Sequence, residues 1–394
     1  MNRMKITLAL EYPLMQQGGT EVLVRELIPG LRRHFEIVLV SGDRQIRDLP
    51  KELAGLVSRH LTWDARNATA ATARALANSL RGEKVQLAHF HFGGTYEWRS
   101  NRFWQCPVVH LAKLGVPCLS TNHLAMEWLN CGCNPARPLW QKNLYQLFAI
   151  FSRSMVYRRL KLEVCVSQQD RRRVAAMFPL FRRKIIQRYH SLLPADAPPP
   201  NLQDRDPVVL CVGTIGGRKA QPDLAGAFAR IAGRHPEWQL RFIGRPEDPA
   251  DVDRIRSGAS KAGISDRVHL LGRLSDEETL HQMQRASIIA MPSLQEGLGL
   301  SLQEALFHGC VGVGSRVGGI PELIEHEVNG LLVPPGDVAA LSAALDRLMS
   351  DPALLDRFRA QSRASILRKG MTSAAMVQNY LDLYQKFLPA PRLA

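Results

Sequence analysis

The chain has 394 residues, 45% of them hydrophobic and 22% charged, with a formal net charge of +15. That length exceeds what one hydrophobic core usually serves, so two domains are expected, and the composition excludes extensive disorder. No stretch approaches about 18 consecutive apolar residues, so no membrane-spanning helix is expected.

The first predicted strand, Ile6 to Leu10, is too short and too soon followed by Glu11 for a secretory signal, so the chain is expected to stay unexported. Gly18-Gly19-Thr20-Glu21 then opens a helix whose free N–H groups attract an anion. Strands follow at Ile37 to Val40, Val85 to Phe90 and Val116 to Ser120, with a helix from Ala68 to Leu80 between two of them. This alternation predicts parallel strands covered by helices on both faces. His89 and His91 flank the end of one strand, and His123 follows the last one in Pro117-Cys118-Leu119-Ser120-Thr121-Asn122-His123. A histidine in a loop is more often structural, yet ligands of this fold class gather beyond the carboxyl ends of the strands.

Cys131-Gly132-Cys133 has a single-residue gap instead of zinc-ligand spacing, and no second pair follows it. The seven cysteines are scattered and odd in number, which points to a reducing compartment, the cytoplasm, and to no metal site. The segment from Arg137 to Arg188 then concentrates positive charge: Arg137, Lys142, Arg153, Arg158, Arg159, Lys161, Arg171, Arg172, Arg173, Arg182, Arg183, Lys184 and Arg188 meet only Glu163 and Asp170. Trp140, Tyr145, Leu147, Phe148, Ile150 and Phe151 are interleaved with these charges. Such a patch suits an anionic membrane surface on the inner face or an acidic glycan; the plain alternative is a solvated basic face over an apolar core. No nucleic-acid module accompanies it, and nucleic acid is not expected as a partner.

Leu193-Pro194-Ala195-Asp196-Ala197-Pro198-Pro199-Pro200 supports neither helix interior nor central strand and reads as a linker. The strand and helix alternation resumes with strands at Val208 to Val212, Leu240 to Ile243, Val268 to Leu271, Ile288 to Met291 and Val311 to Val313, and helices at Pro222 to Gly233 and Leu300 to Gly309. A final helix, Thr372 to Leu388, carries Tyr380, Leu381, Tyr384 and Phe387 on an apolar face that needs a host. The expected organisation is a domain over 1–195, a linker over 196–206, a second domain over 207–371, and a terminal helix over 372–394 crossing back to the first.

The richest stretch runs from the strand ending at Met291 through Pro292-Ser293-Leu294-Gln295-Glu296-Gly297-Leu298-Gly299-Leu300 to Glu304. Gly297 and Gly299 allow close backbone approach, and the helix starting at Leu300 offers N–H groups to a diphosphate. Glu304, one turn inside, can accept hydrogen bonds from ribose hydroxyls, and Glu296 from a sugar. The plain alternative is a pair of carboxylates stabilised by the helix dipole.

Glu296 and Glu304 with the Glu-Gly-x-Gly-Leu core resemble the signature of family-4 glycosyltransferases. The likeness continues through Gly318-Gly319-Ile320-Pro321-Glu322 and an Asn329-Gly330-Leu331-Leu332-Val333 turn. Val212-Gly213-Thr214-Ile215-Gly216-Gly217-Arg218-Lys219 resembles the first loop of the family's donor domain. The resemblance implies an α/β protein with two Rossmann-like domains facing a cleft, the GT-B arrangement. It implies a retaining hexosyl transfer from a UDP- or GDP-linked sugar to a glycan, glycolipid or small-molecule acceptor in polysaccharide or envelope glycan synthesis. Lys219 and Arg218 would stabilise the leaving diphosphate, and His123 and Glu296 would hold the sugar. Gly18, Gly19, Thr214, Gly297, Leu298, Gly299, Leu300 and Glu304 would bind the donor. The family needs no bound metal or other cofactor. Two departures stand out: Thr214 replaces the usual arginine, and Tyr189-His190-Ser191-Leu192 replaces the usual Asn-Gly-x-Asp turn. A nucleotide-sugar epimerase or phosphorylase on the same fold, or a degenerate binding protein, remain the rival readings.

Overall fold

A computed structural model describes residues 3–14, 18–42, 51–65, 67–92, 97–123, 138–194, 196, 198, 200, 202 and 205–388. The chain divides into two units, Met1–His190 with Ser373–Ala394, and Ser191–Thr372. Cys131, Gly132, Cys133 and Arg137 lie outside the described residues, as do Ala195, Ala197 and Pro199 of the linker.

The first unit is built on seven parallel strands, β1 (Lys5–Ala9), β2 (Glu36–Ser41), β3 (Arg59–Thr62), β4 (Leu87–Phe92), β5 (Cys118–Asn122), β6 (Leu162–Cys165) and β7 (Ile185–Gln187). Their order is β3-β2-β1-β4-β5-β6-β7. Every residue of β4 and β5 is buried, as a parallel sheet with both faces covered requires. One face packs Phe90, Phe92 and Cys118 against the Ala70–Gly82 helix and its neighbours. The opposite face packs Leu8, Leu87 and Leu119 against the Gly19–Arg32 helix and the terminal Ser373–Gln385 helix, through Met376, Tyr380, Leu381 and Tyr384.

The second unit has six parallel strands, β8 (Asp206–Val212), β9 (Gln239–Ile243), β10 (Val268–Leu270), β11 (Ala286–Met291), β12 (Val311–Ser315) and β13 (Gly330–Val333), in the order β10-β9-β8-β11-β12-β13. In each sheet the strand order reverses once, between β1 and β4 in the first and between β8 and β11 in the second. The carboxyl ends flanking such a reversal are where this fold class takes its ligands.

Several elements differ from expectation for physical reasons. The third and fourth predicted strands run two residues further, because His91, Thr121 and Asn122 stay buried in the sheet instead of ending it. The helix expected from Ala68 begins at Ala70, since the Thr69 hydroxyl accepts from the Thr72 N–H at 3.2 Å while Thr72 Oγ1 accepts from the Thr69 N–H at 2.8 Å. Gly330 to Val333 form β13 and not a turn; Asn329 makes the turn before it, donating to Leu323 O at 3.0 Å and accepting from Glu325 N at 2.7 Å. β6 escaped notice because its second residue is Glu163.

The basic segment needs the largest correction. Arg153 is fully buried and paired with buried Glu163 at 2.6 Å, and the guanidinium lies 4.3 Å from the centre of the Phe92 ring. Glu163 also accepts from Tyr157 at 2.6 Å and Ser120 at 3.0 Å. Arg153 therefore belongs to the interior. Conversely, Trp140, Leu144, Leu147 and Phe151 of the Leu139–Arg159 helix are 64%, 61%, 65% and 53% exposed, so they are not core. Tyr145 and Ile150 are half-buried.

Candidate functional site

In the second unit the site grows from the ends of β8 and β11. After β8 the chain turns at Gly213, φ +150°, against which Gly244 packs so closely that a Cβ on Gly244 would collide with the Gly213 carbonyl. The Gly217–Lys219 turn follows, ending at Ala220 in the left-handed region, φ 52°. Gln221 steadies this loop by donating to Thr214 O at 2.9 Å. After β11, Leu294 N donates to Arg218 O at 2.8 Å, tying the two loops together. Ser301 Oγ donates to Val212 O at 3.0 Å and anchors the start of the Leu300–Phe307 helix to the end of β8.

These ties bring Lys219 and Glu296 into an ion pair. Glu296 also accepts from Gly297 N at 3.2 Å. Burial alone would raise its carboxyl, but the Lys219 ammonium, the Arg218 charge and the Gly297 N–H outweigh it and hold Glu296 below the ordinary range. Arg218 itself is exposed. Gly299, φ +91°, caps the helix without any side-chain bond, leaving first-turn N–H groups available. Gly318 and Gly319 hold this loop by close backbone approach. A Cβ on Gly318 would collide with the Glu296 carbonyl, and Gly319 N donates to Gly297 O at 2.6 Å.

Glu304 lies inside that helix, half-buried, with no side-chain hydrogen bond among the described residues. Burial, then the nearby Asp276 charge, push its carboxyl up to about 7. Leu298 is buried and Leu300 half-buried. The Thr214 hydroxyl makes no hydrogen bond among the described residues.

In the first unit, Gly18 caps the Gly19–Arg32 helix, but the terminus is not open in the way the sequence implies. Buried Glu21 folds back over it, and its carboxylate accepts from the Gly18 and Glu21 backbone N–H groups. Burial nonetheless raises that carboxyl above its ordinary value. An incoming anion would have to displace a carboxylate already in place.

Beside it, β4 and β5 pair with His91 opposite Thr121, which sets His89, His91, Thr121 and His123 on one face. His89 and His91, which flank the strand end, are interior residues, 0% and 1% exposed, and are not open to a ligand there. His89 Nδ1 meets Tyr384 Oη at 2.6 Å and its Nε2 meets Thr121 Oγ1 at 2.7 Å. Thr121 Oγ1 meets Tyr380 Oη at 2.9 Å, which in turn meets His190 Nε2 at 2.6 Å. His91 Nδ1 and His123 Nε2 are 3.1 Å apart. Burial lowers His89 and His123 to about 3, and burial with neighbouring imidazoles lowers His91 and His190 well below the ordinary value. His123 alone of the four is partly exposed.

Sequence reasoning placed Tyr380 and Tyr384 only on an apolar helix face and overlooked His190 as a partner. The available signal was tyrosine in place of phenylalanine at helical spacing, because a buried phenol needs an acceptor.

Comparison with known proteins bears on what these two sites serve. The family model described as Glycosyltransferase Family 4 matches residues 17–189, and the one described as Glycosyl transferases group 1 matches residues 194–365. An exopolysaccharide phosphotransferase of Streptomyces coelicolor is 34% identical over 164 residues, 41% of this chain and 17% of that protein. A D-inositol 3-phosphate glycosyltransferase of a Mycobacterium species is 28% identical over 287 residues, 71% of this chain and 62% of that protein. The chain thus spans less than two thirds of the length of these relatives. The structure of Anabaena HepE with UDP and glucose has a TM-score of 0.74 at 16% identity, covering 98% of this chain and all of the other.

Proposed function

Since the chain belongs to the family-4, group-1 glycosyltransferases and has the GT-B fold, we propose that it transfers a hexosyl group, with retention of configuration, from a UDP- or GDP-linked sugar to a hydroxyl acceptor. The observation that carries this reading is the Lys219–Glu296 pair set beside an uncapped helix start at Gly299. A diphosphate needs cations and N–H donors, and a sugar needs an oriented carboxylate; this loop offers all three.

In the proposed reaction the bond between the anomeric carbon and the diphosphate oxygen breaks while the acceptor oxygen bonds to the same face of that carbon. The acceptor proton passes to the departing phosphate oxygen. Lys219, Arg218 and the first-turn N–H groups of the Leu300–Phe307 helix take up the charge that develops there. Gly297, Leu298, Gly299 and Leu300 let the diphosphate approach the backbone, and Glu304 accepts from the ribose. Glu296 and His123 hold the transferred sugar, with Gly18, Gly19 and Thr214 as further donor contacts. No metal or organic cofactor takes part, because these cations and N–H dipoles supply the positive field.

The acceptor is proposed to be a glycan or lipid-linked intermediate of polysaccharide or envelope glycan synthesis, met by peripheral docking on anionic lipid. The exopolysaccharide in the Streptomyces coelicolor relative's name supports the first part, although that relative is a phosphotransferase, and the exposed apolar stripe of the Leu139–Arg159 helix supports the second. No helix among the described residues is long and apolar enough to cross a membrane.

Nucleoside diphosphate release from UDP-glucose and GDP-mannose, with and without acceptors, tests the reading. Lys219→Ala is expected to lower turnover by about 100-fold or more, the usual effect of deleting one donor to a developing oxyanion. Turnover should persist in excess chelator. Near-normal rates in Lys219→Ala would remove the assigned role. Acceptor-free sugar interconversion would favour an epimerase, and dependence on inorganic phosphate a phosphorylase.

A further inference from the structure

The His91 and His123 rings lie 5.3 Å apart at 28°, with Nδ1 of one facing Nε2 of the other at 3.1 Å. Burial keeps both rings neutral, so one proton serves that contact, carried either by His91 Nδ1 or by His123 Nε2. The rest of His91 decides between them. Its Nε2 is buried and has no hydrogen-bond partner among the described residues. Were His123 the donor, His91 would carry its own proton on that Nε2, an N–H sealed in the interior with nothing to accept it. With His91 as the donor, only a bare lone pair is left there, the less costly of the two defects.

The neighbouring network leaves no competitor for this contact. Tyr384 has no hydrogen-bond partner besides His89 among the described residues, so the buried Tyr384 hydroxyl must donate to His89 Nδ1. His89 then donates to Thr121, Thr121 to Tyr380, and Tyr380 to His190 Nε2, each group giving one proton. His89 and His190 are thereby committed elsewhere. His190 touches the His123 ring only by packing, 5.2 Å between centroids.

We propose that His91 is a positioning residue: it donates from Nδ1 to His123 Nε2, locks His123 as the Nδ1–H tautomer, and so makes His123 a donor to an oxygen of the bound sugar. This rests on the reading above that His123 holds the sugar, although the tautomer itself does not. His123 Nδ1 makes no hydrogen bond among the described residues, and the ring is partly exposed where its partner is sealed. The His123 backbone N–H donates to Phe92 O at 2.7 Å, which fixes the ring's starting point at the strand end.

Long-range nitrogen–proton NMR on histidine-labelled protein at neutral pH reads the tautomers directly. In the native chain His91 and His123 should each show a protonated Nδ1 and an unprotonated Nε2. His91→Leu should move His123 toward the Nε2–H form that free imidazole prefers in water. His91→Asn, whose amide reaches the place of Nδ1, should restore the native pattern; His91→Gln, whose amide reaches the place of Nε2, should not. Release of nucleoside diphosphate from UDP-glucose or GDP-mannose should fall by about 10-fold or more in His91→Leu and recover in His91→Asn, as for other residues that orient a functional histidine. A protonated Nε2 on His123 in the native chain overturns the proposal even if His91→Leu fails to fold. So does an unchanged His123 tautomer in a folded His91→Leu. Undiminished turnover in His123→Ala would instead remove the sugar-holding role while leaving the tautomer assignment standing.

Discussion

Glu304 is a carboxyl half-buried in a helix with no side-chain partner, and burial together with Asp276 raises it to about 7. An acid raised in this way is unfavourable to the folded chain once ionised. Its contribution to stability is fully present below the ordinary value of 4.5 and is lost as pH rises through about 7. The cost has a use if ribose hydroxyls bind the ionised form. Nucleotide affinity should then fall as pH drops below about 7, by up to about tenfold per pH unit, and Glu304→Gln should bind more weakly with the dependence flattened. Calorimetric titration with UDP and GDP across that range checks it; unchanged affinity in the variant would take the ribose role away from Glu304. Glu296 sits at the other extreme, because Lys219 meets it directly. Two carboxylates of one motif thus have opposite environments, which fits different tasks.

At the scale of elements, the Leu139–Arg159 helix is both a structural strut and an exposed surface. Its inner side sends Arg153 to Glu163 on β6, a pair sealed from water. Glu163→Ala would strand the guanidinium in the core and should destabilise the first unit by about 3–5 kcal/mol in denaturant titration; a loss of under about 1 kcal/mol would mean that water reaches Arg153. Its outer side spaces Trp140, Leu144, Leu147 and Phe151 by four, three and four residues, one stripe of a helix. Arg158 and Arg159 are exposed at the end of the same helix, and Arg172, Arg173, Arg182 and Arg183 are exposed in the segment after it; a basic residue near anionic lipid adds about 1 kcal/mol, less in salt. The chain should float with phosphatidylglycerol vesicles but not with neutral ones, and Trp140→Glu with Leu147→Glu should abolish this without lowering thermal stability. Equal recovery with both vesicle types, or with neither, would leave the stripe to some other partner.

For the whole molecule, acid should destabilise the two units unequally. His89, His91, His123 and His190 all belong to the first, and each is lowered, so each supports the fold above about 6.5 and withdraws that support as pH falls, through about 3 for His89 and His123. Raised Glu21 and Glu26 offset part of this in the same unit. In the second unit burial lowers His308 to about 4, set against the raised Glu304. Calorimetry between pH 6.5 and 4.5 should therefore show the first unit's melting temperature falling faster than the second's. Parallel shifts of both transitions would mean that the histidine cluster is more hydrated than its burial implies. The terminal helix shares in this, since Tyr380 and Tyr384 bind the cluster and a segment late in the chain completes the first unit's core.

What the sequence determined on its own is the repeating part: strand and helix periods, glycines at sharp turns, and the Glu296 to Glu304 spacing with its family likeness. These are local, because period and turn chemistry act over a few residues. It also located Lys219 and Glu296 separately, though not as a pair, since 77 positions separate them and only the joining of β8 to β11 closes that distance. Tertiary structure alone decided the fate of polar residues inside apolar elements. His89 and His91 are buried because Tyr384, Thr121 and His123 meet their nitrogens, Arg153 because Glu163 waits on another element, and Trp140 and Leu147 are exposed because no element among those described covers them. A polar or apolar side chain declares its preference in the sequence. Whether a partner satisfies it depends on chain segments brought together only by folding.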